Sequence, residues 1–409
     1  MENMSPMLYV HVPFCRKKCR YCAFFSEAVA REAALPEGDY LDTLFAEMAM
    51  RTAEPLEETP AESDSFSAPE GKGGVSPSPA FPPPISTVFI GGGTPSLLSS
   101  SGLVRLFAQI RRHYRLAYDA EITLEGNPES LADADKLRAL RECGVNRLSI
   151  GVQSMCDAEL LALGRVHGRN DVIRAFSLAR QAGFANIGMD LIWGLPGQTP
   201  DTWRKTLADI LALEPEHISA YGLTVEPGTP LAFDVAGGEV LLPSDETQAR
   251  LYEAGAGFLE VHGYRQYEIS NFCRPGFACR HNMGYWAGVD YHGLGPAAVS
   301  TEKGLRRTNP ANIKAWTRLV RSGRRPQAEI LTPDIRAEEY VMLRLRTAEG
   351  LDLEACRRQT GYDVGERQAS FLRSLCAAGL AEREGKTFRL TRRGMLVSNS
   401  IISALFADR

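Results

Sequence analysis

The sequence reads Cys15-Arg16-Lys17-Lys18-Cys19-Arg20-Tyr21-Cys22 immediately after a predicted strand that ends in His11-Val12-Pro13-Phe14. A loop can wrap these three thiols around one small inorganic centre. A structural zinc site normally has four protein ligands, and no fourth Cys or His lies at zinc-finger spacing. A cubane of four irons held by three cysteines leaves one iron open for chemistry. The motif therefore favours an iron–sulfur cluster over zinc and over three unrelated core cysteines.

Around this motif, short β-rich runs alternate with amphipathic helical stretches from residue 6 to about residue 225. The predicted strands cover residues 7–12, 87–90, 121–124, 147–152, 186–192 and 218–223. Such a βα alternation is typical of a parallel sheet with covering helices. Six units predict a partial (β/α)6 TIM-like barrel.

The C-terminal part has a different pattern, which predicts a winged-helix-like α+β domain. Its predicted elements are helices at 333–346 and 353–359, a third helix ending near Gly379, and a hairpin of 381–384 with 387–390. Because the chain has no net basic excess, a packing or partner-docking role is favoured over DNA binding for this domain.

We predict three regions along the chain. Residues 1–240 form the barrel, residues 241–330 complete or link it, and residues 331–409 form the C-terminal domain. The stretch 52–84 holds 8 of the 24 prolines, so it is predicted to be a disordered insert within the first region.

The composition is that of an ordinary globular protein. The 409 residues are 44% apolar and 23% charged with a net charge of -4, which argues against a nucleic-acid partner. No apolar run approaches the length of a membrane span, and no secretory signal is evident, so the chain is expected to be cytoplasmic. The odd number of cysteines, 9, argues against a disulfide scaffold.

The cysteine spacing, with Tyr21 just before the last thiol, resembles the cluster loop of the radical S-adenosylmethionine superfamily. Further segments resemble its oxygen-independent coproporphyrinogen III oxidase family. These segments are Tyr9-Val10-His11-Val12-Pro13-Phe14-Cys15, Gly91-Gly92-Gly93-Thr94-Pro95, Glu125-Gly126-Asn127-Pro128, Gly151-Val152-Gln153-Ser154, Leu163-Gly164-Arg165 and Met189-Asp190-Leu191-Ile192.

The resemblance implies a [4Fe-4S] cluster on Cys15, Cys19 and Cys22, with S-adenosylmethionine bound at its open iron. It also implies which residues contact that cofactor, namely Tyr9, Tyr21, Gly93, Thr94, Glu125, Gln153, Arg165 and Asp190. These residues lie at or near successive predicted strand ends, where a barrel assembles its site. Each is a weak indication alone; the set in its order is informative.

The family divides into coproporphyrinogen dehydrogenases, which perform oxidative decarboxylation in porphyrin biosynthesis, and a heme-chaperone branch called HemW. The dehydrogenases carry a further cysteine two positions after the third, where this sequence has Phe24. They also carry an extended N-terminal segment, whereas here the first cysteine is already residue 15. Both differences favour the chaperone branch, with the dehydrogenase as the alternative; whether the chain is an enzyme stays open.

The run Arg280-His281-Asn282-Met283-Gly284-Tyr285-Trp286 matches the H-N-x-x-Y-W motif of the chaperone branch. His281 is a candidate axial ligand of heme and Cys279 a second one, although a core histidine hydrogen-bonded under a loop is the slightly preferred interpretation of His281. The resemblance implies heme, a heme-accepting protein and an electron donor as partners, with any membrane contact being peripheral and through the acceptor.

Overall fold

A computed structural model describes residues 5–30, 33–53 and 83–407. The predicted insert 52–84 lies outside the described residues except at its two ends. Thr52 and Ala53 belong to the helix Glu37–Ala53. This helix therefore extends two residues into the predicted insert.

The first two thirds of the chain alternate strands and helices. The elements are β1 (Met7–Val12), β2 (Phe14–Cys15), β3 (Glu27–Ala28), α1 (Glu37–Ala53), β4 (Ile85–Gly92), a 3-10 turn (Pro95–Leu97), α2 (Ser100–His113), β5 (Leu116–Gly126), α3 (Pro128–Leu131), α4 (Ala134–Glu142), β6 (Arg147–Gln153), α5 (Asp157–Ala162), α6 (Arg169–Gln181), β7 (Ile187–Trp193), α7 (Pro200–Leu211) and β8 (His217–Gly222).

The six predicted strands are all present, and they pair in parallel in the order β1-β4-β5-β6-β7-β8. Their inner residues are largely buried, as expected for a sheet covered by helices. Hydroxyl side chains begin several of the covering helices by accepting a backbone N–H. Examples are Ser99 for α2 and Thr199 for α7. The parallel barrel core predicted from the βα alternation is confirmed.

The middle of the chain extends this sheet at both ends. Its elements are α8 (Pro230–Ala236), α9 (Asp245–Val261), β9 (Arg265–Gln266), β10 (Asn271–Cys273), α10 (Arg280–Trp286), β11 (Tyr291–Leu294), β12 (Val299–Glu302), β13 (Leu305–Thr308), α11 (Ile313–Arg321) and β14 (Ala328–Ile330). β11 pairs in parallel with β1, and β10 pairs antiparallel with β8. Within the described ranges no ladder joins the outermost strands β9 and β14, so hydrogen bonds do not close the barrel.

The C-terminal part forms its own small sheet and hydrophobic cluster. Its elements are α12 (Pro333–Leu345), β15 (Leu351–Asp352), α13 (Leu353–Thr360), α14 (Val364–Arg367), α15 (Ala369–Ala377), β16 (Ala381–Glu384), β17 (Thr387–Leu390), α16 (Arg392–Leu396) and α17 (Ser398–Leu405). The hairpin β16–β17 has the predicted bounds and pairs further with β15. Phe388 and Leu351 are fully buried in the cluster between this sheet and the helices. Nowhere in the described ranges is a helix long and apolar enough to cross a lipid bilayer.

A buried carboxylate joins the two distant parts of the barrel. Glu47 on α1 accepts hydrogen bonds from the Gly295 N–H at 2.8 Å, Asn309 Nδ2 at 2.8 Å and Trp316 Nε1 at 3.0 Å. It also pairs with Arg51 at 3.1 Å. Because all of these donors except Arg51 follow β11, Glu47 ties the first helix to the segment that extends the sheet.

Replacing Glu47 with alanine leaves the buried Arg51 charge and three donors without their acceptor. We expect Glu47→Ala to lower the free energy of unfolding by about 3–5 kcal/mol, as for other broken buried pairs. Urea unfolding measures this, with Glu142→Ala as the control because Glu142 is exposed. Equal urea midpoints for Glu47→Ala and Glu142→Ala would show that the hydrogen bonds of Glu47 contribute little to the free energy of unfolding.

Candidate functional site

The three clustered cysteines lie on one loop beyond the end of β1. Cys15 belongs to the short β2, and all three thiols are partly exposed. The loop is anchored on both sides, because the Arg20 N–H donates to Leu163 O at 3.1 Å and the Leu231 N–H donates to Arg20 O at 2.9 Å. Neighbouring segments of the barrel therefore hold the loop in place.

The glycine run after β4 packs directly on the cysteine loop. The Gly93 N–H donates to Val12 O at 2.8 Å, and the Thr94 N–H donates to Phe14 O at 2.7 Å. A Cβ at Gly93 would lie 2.6 Å from Phe14 O, so only glycine fits there. The Thr94 hydroxyl in turn lies 3.6 Å from Cys15 Sγ. Gly93 and Thr94 thus set the position of the first thiol.

A buried arginine contacts the second thiol. Arg165 places Nη1 at 3.3 Å from Cys19 Sγ, while Nη2 donates to Asn127 Oδ1 at 2.6 Å and Gly151 O at 2.7 Å. Asn127 also donates from Nδ2 to Thr94 Oγ1 at 3.1 Å. Asn127 therefore links Thr94 and Arg165, which contact the thiols of Cys15 and Cys19. Its position in the sequence motif did not reveal this role.

The remaining predicted cofactor residues lie at the same end of the sheet. Gln153 ends β6 at an irregularity in its pairing with β7 and has a left-handed backbone with φ 69°. Tyr21 packs on a small apolar cluster formed by Leu163, Ile192 and Leu195. Tyr9 lies at 3.0 Å from His11 Nδ1, and His11 Nε2 donates to Phe25 O at 2.9 Å. Because the Phe25 carbonyl can only accept, His11 Nε2 carries the ring proton, and Nδ1 accepts the hydroxyl of Tyr9. This pair of bonds connects the barrel interior to the end of the cysteine loop.

The barrel encloses a cavity of about 170 Å³, which we call the lumen. Tyr9, Glu125, Asp190 and His281 all line it, so predicted cofactor residues and a predicted heme residue share one space. The lumen is also lined by Phe89, Arg147, Ser149, Ser219, Tyr221 and Tyr285.

The two lumen carboxyl groups have raised pKa values. Burial and the negative charge of Asp190 raise the pKa of Glu125 to about 8, against the Gly92 N–H that donates to Glu125 at 3.2 Å. Burial also raises the pKa of Asp190, which accepts from the hydroxyls of Ser149 at 2.9 Å and Ser219 at 2.6 Å. Glu125 is therefore mostly protonated at neutral pH and can donate as well as accept a hydrogen bond.

Helix α10, which carries His281, lies against the lumen at the amino ends of the strands. Glu121 on β5 accepts the backbone N–H groups of Arg280 and His281, both at 3.1 Å. His281 Nδ1 lies 2.6 Å from Thr87 Oγ1, and the ring stacks on Phe89 at 5.0 Å. Burial and the Arg147 charge lower the pKa of His281 to about 3, so the ring is neutral.

Cys279 lies beside the lumen floor and does not line the lumen. Its thiol is fully buried and donates to Glu121 Oε1 at 3.5 Å. Burial raises the pKa of this thiol to about 12, although Arg147 opposes the shift. Cys279 is therefore a neutral, fully buried thiol. Among the described residues no group of three or more His, Cys, Asp or Glu side chains could hold a single metal ion.

Sequence reasoning missed Arg147, Ser149 and Ser219. Arg147 and Ser149 occupy alternate positions of β6, so their side chains face the same side of the sheet. Polar residues at alternate positions of an otherwise buried strand were the available signal.

Comparisons with known proteins agree with this architecture. Residues 79–210 match the model of the radical SAM superfamily, and residues 331–397 match the HemN C-terminal domain. The heme chaperone HemW of Bacillus subtilis (strain 168) is 34% identical over 403 residues, which cover 98% of this chain and 99% of that protein. HemW of Escherichia coli (strain K12) is 32% identical over 418 residues, covering 100% of both.

Among solved structures, coproporphyrinogen III oxidase (HemN) from Escherichia coli, a radical SAM enzyme, superposes with a TM-score of 0.79. The alignment covers 98% of this chain and 90% of that one at 24% sequence identity. At this identity the likeness concerns the fold.

The raised pKa of Glu125 gives a pH dependence of stability. The ordinary pKa of a glutamate carboxyl is 4.5, and in the folded chain the pKa of Glu125 is about 8. Between these two pH values Glu125 keeps its proton in the folded chain and has lost it in the unfolded chain. Stability of the wild type therefore falls with rising pH by up to about 1.4 kcal/mol per pH unit from this group. Because Gln does not titrate, Glu125→Gln should gain stability relative to the wild type from pH 5 to pH 8.

Urea unfolding of the ligand-free chain at several pH values tests this expectation. Glu142→Gln, at an exposed position, is the control and should show a constant difference from the wild type. If the difference in free energy of unfolding between Glu125→Gln and the wild type were also independent of pH, the pKa of Glu125 would not be raised.

Proposed function

The chain belongs to the HemW family of heme chaperones within the radical S-adenosylmethionine superfamily, and on that premise we propose that it binds heme and transfers it to an acceptor protein. We further propose that it carries a [4Fe-4S] cluster and S-adenosylmethionine. The observation that carries this proposal is the similarity to heme chaperones along the full length of both chains.

Cys15, Cys19 and Cys22 would hold the cluster. Three thiols on one anchored loop suit a cubane with an open iron, and the chain's own residues fit the charge of such a group. Arg165 is a permanent cation at Cys19 Sγ, and Thr94 is a hydroxyl donor at Cys15 Sγ. Donors to cluster sulfurs stabilise the reduced state, and the bound cluster would supply one electron and an open coordination site.

S-adenosylmethionine would lie across the carboxyl ends of the parallel strands, where barrels bind ligands. Gly93, Thr94 and Arg165 contact the cysteine loop, and Tyr21 of that loop packs on a small apolar cluster. Gln153 ends β6 at the same end of the sheet. Tyr9, Glu125 and Asp190 line the lumen below. The first group would contact the end of the ligand near the cluster, and the second would offer acceptors and donors to its hydroxyl and amino groups.

The lumen is too small to enclose a heme. The 170 Å³ lumen is smaller than the pockets of about 300–1,000 Å³ that enclose drug-sized ligands. Direct ligation of heme iron by His281 or Cys279 would therefore require α10 to move. In the arrangement described above, both residues act as parts of the barrel floor.

Position 24 bears on the alternative, an oxygen-independent coproporphyrinogen III dehydrogenase. Phe24 is 73% exposed two residues after Cys22, where the dehydrogenases have a further cysteine. An apolar ring there cannot supply a thiol, so we propose the chaperone role. Its partners would be a heme-accepting protein and a one-electron donor in the cytoplasm.

The cluster assignment predicts the iron content. Anaerobically reconstituted chain should hold about four irons, and Ser at any of Cys15, Cys19 or Cys22 should reduce the content. Cys143→Ser and Cys376→Ser are controls and should keep it. Iron quantification and absorbance near 400 nm measure the outcome; a triple Ser variant that retains both would contradict the assignment.

The chaperone proposal predicts binding without turnover. The chain should bind about one heme, seen as a Soret band, and should not decarboxylate coproporphyrinogen III with S-adenosylmethionine and a reductant. Formation of the vinyl product would support the dehydrogenase instead. If His281→Leu leaves the Soret band unchanged, His281 is not the axial ligand.

A further inference from the structure

Four basic side chains lie on the cysteine loop between its first and last thiols, and we call them the loop cations. They are Arg16, Lys17, Lys18 and Arg20, and residues 15–22 contain no acid, although the whole chain has a net charge of -4. Lys17, Lys18 and Arg20 are exposed. Among the residues that the structure describes, no ion pair joins Lys17 or Lys18 to a carboxylate. The loop therefore presents a positive surface on a negative protein.

A small groove connects the loop cations with the second thiol. Arg16, Lys17 and Val166 line this groove, and Cys19 lies in it. Its lining contains three cations, the third being Arg165, and one acid, Glu129. Glu129 Oε2 lies 3.3 Å from His167 Nδ1, so the acid faces a partner of its own. The groove is therefore net positive where it reaches the sulfur.

Exposed apolar side chains surround the same loop. Val166 is 53% exposed at the groove, Phe24 is 73% exposed just beyond the last thiol, and Phe233 on α8 is 70% exposed. Helix α8 contacts the loop, because its Asp234 pairs with Arg20. Exposed apolar groups among basic side chains are typical of a surface that binds another protein.

The positions of Lys17 and Lys18 distinguish docking from charge balance within the site. A cation that balances a thiolate lies against it, as Arg165 does at 3.3 Å from Cys19 Sγ. Lys17 and Lys18 are instead exposed to solvent. Cations in that position attract an approaching negative protein and orient it before contact.

We propose that the loop cations and the apolar side chains around them dock an acidic protein that carries one electron. This inference rests on the proposed function, under which Cys15, Cys19 and Cys22 hold a cluster that a donor reduces. The three thiols are partly exposed at this surface, so a redox group docked here makes its closest approach to the cluster. One electron then passes from the carrier to the cluster, which oxidises the carrier and reduces the cluster by one electron each.

The test measures how tightly a flavodoxin, which is a small acidic flavoprotein, binds the cluster-loaded full chain. Fluorescence anisotropy of a dye-labelled flavodoxin gives the dissociation constant at several salt concentrations. We expect wild-type binding to weaken with salt, because electron-transfer interfaces are small and exposed charges are screened. Lys17→Glu/Lys18→Glu should raise the dissociation constant about 10-fold at low ionic strength, because attraction becomes repulsion.

Lys205→Glu/Lys303→Glu is the matched control. Both lysines are exposed, one on α7 and one just after β12, and the variant changes the net charge by the same amount. Its dissociation constant for flavodoxin should equal that of the wild type.

The rate of cluster reduction, followed by visible absorbance, is the second readout. Reduced flavodoxin should reduce Lys17→Glu/Lys18→Glu about 10-fold more slowly than the wild type, in line with the steering effect of charges. The methyl viologen radical, a small cationic reductant, should reduce the variant at least as fast as the wild type. Slower reduction by both reagents would show that the two lysines act on the cluster itself, and it would overturn the docking surface.

The binding data separate this inference from the proposed function. Wild type that does not bind flavodoxin, that binds it independently of salt, or that binds it no better than Lys17→Glu/Lys18→Glu overturns the docking surface. If charge reversal lowers the iron content, Lys17→Gln/Lys18→Gln replaces it and should weaken binding in the same direction. Wild type that holds no iron contradicts the proposed cluster instead, while its affinity for flavodoxin still decides the docking.

Discussion

Beyond their carboxyl ends, β1 and β4 bring their backbones so close together that no side-chain atom fits between Gly93 and Phe14. Two backbone hydrogen bonds hold this contact, and Cys15 follows it by one residue. The first thiol is therefore positioned by main-chain atoms, which cannot rotate away as a side chain can. The second thiol depends on Arg165, and Arg165 depends on Asn127, which itself contacts Thr94 beside the same glycine.

Below this contact the barrel interior is unusually polar for a protein core. Parallel strands with covering helices normally bury apolar residues, yet Glu125, Arg147, Ser149 and Asp190 all face the lumen. Two serines satisfy Asp190 and a backbone N–H helps Glu125, so most of these groups have partners. The exceptions, Arg147 and His281 Nε2, lie at the floor. A chain that only had to fold would gain by replacing such groups with apolar ones.

The sequence predicted the strands well, because buried β-branched runs between turn residues have a local signature that needs no partner. The hairpin β16–β17 was predicted to the residue from its turn at residues 384–386, although β16 is largely exposed. The pairing of β11 with β1 could not be predicted, since some 280 residues separate the two strands. The position of His281 on the lumen floor depends on that pairing and on Glu121. The motif alone therefore left open whether His281 is a heme ligand or a core histidine. Arg147 was hidden within an apolar strand. The boundaries of the three regions and the role of each site residue stay predictions.

The central place of β1 in the sheet also affects how the protein is made. β1 precedes the other strands of this sheet in the described chain, but one of its two neighbours, β11, follows it some 280 residues later. Contacts between segments so far apart form slowly, because the intervening chain must be ordered first. During synthesis the cysteine loop is thus attached to a strand with one exposed edge. Insertion of the proposed cluster before β11 pairs with β1 would meet an incomplete barrel, so we expect loading to follow that pairing.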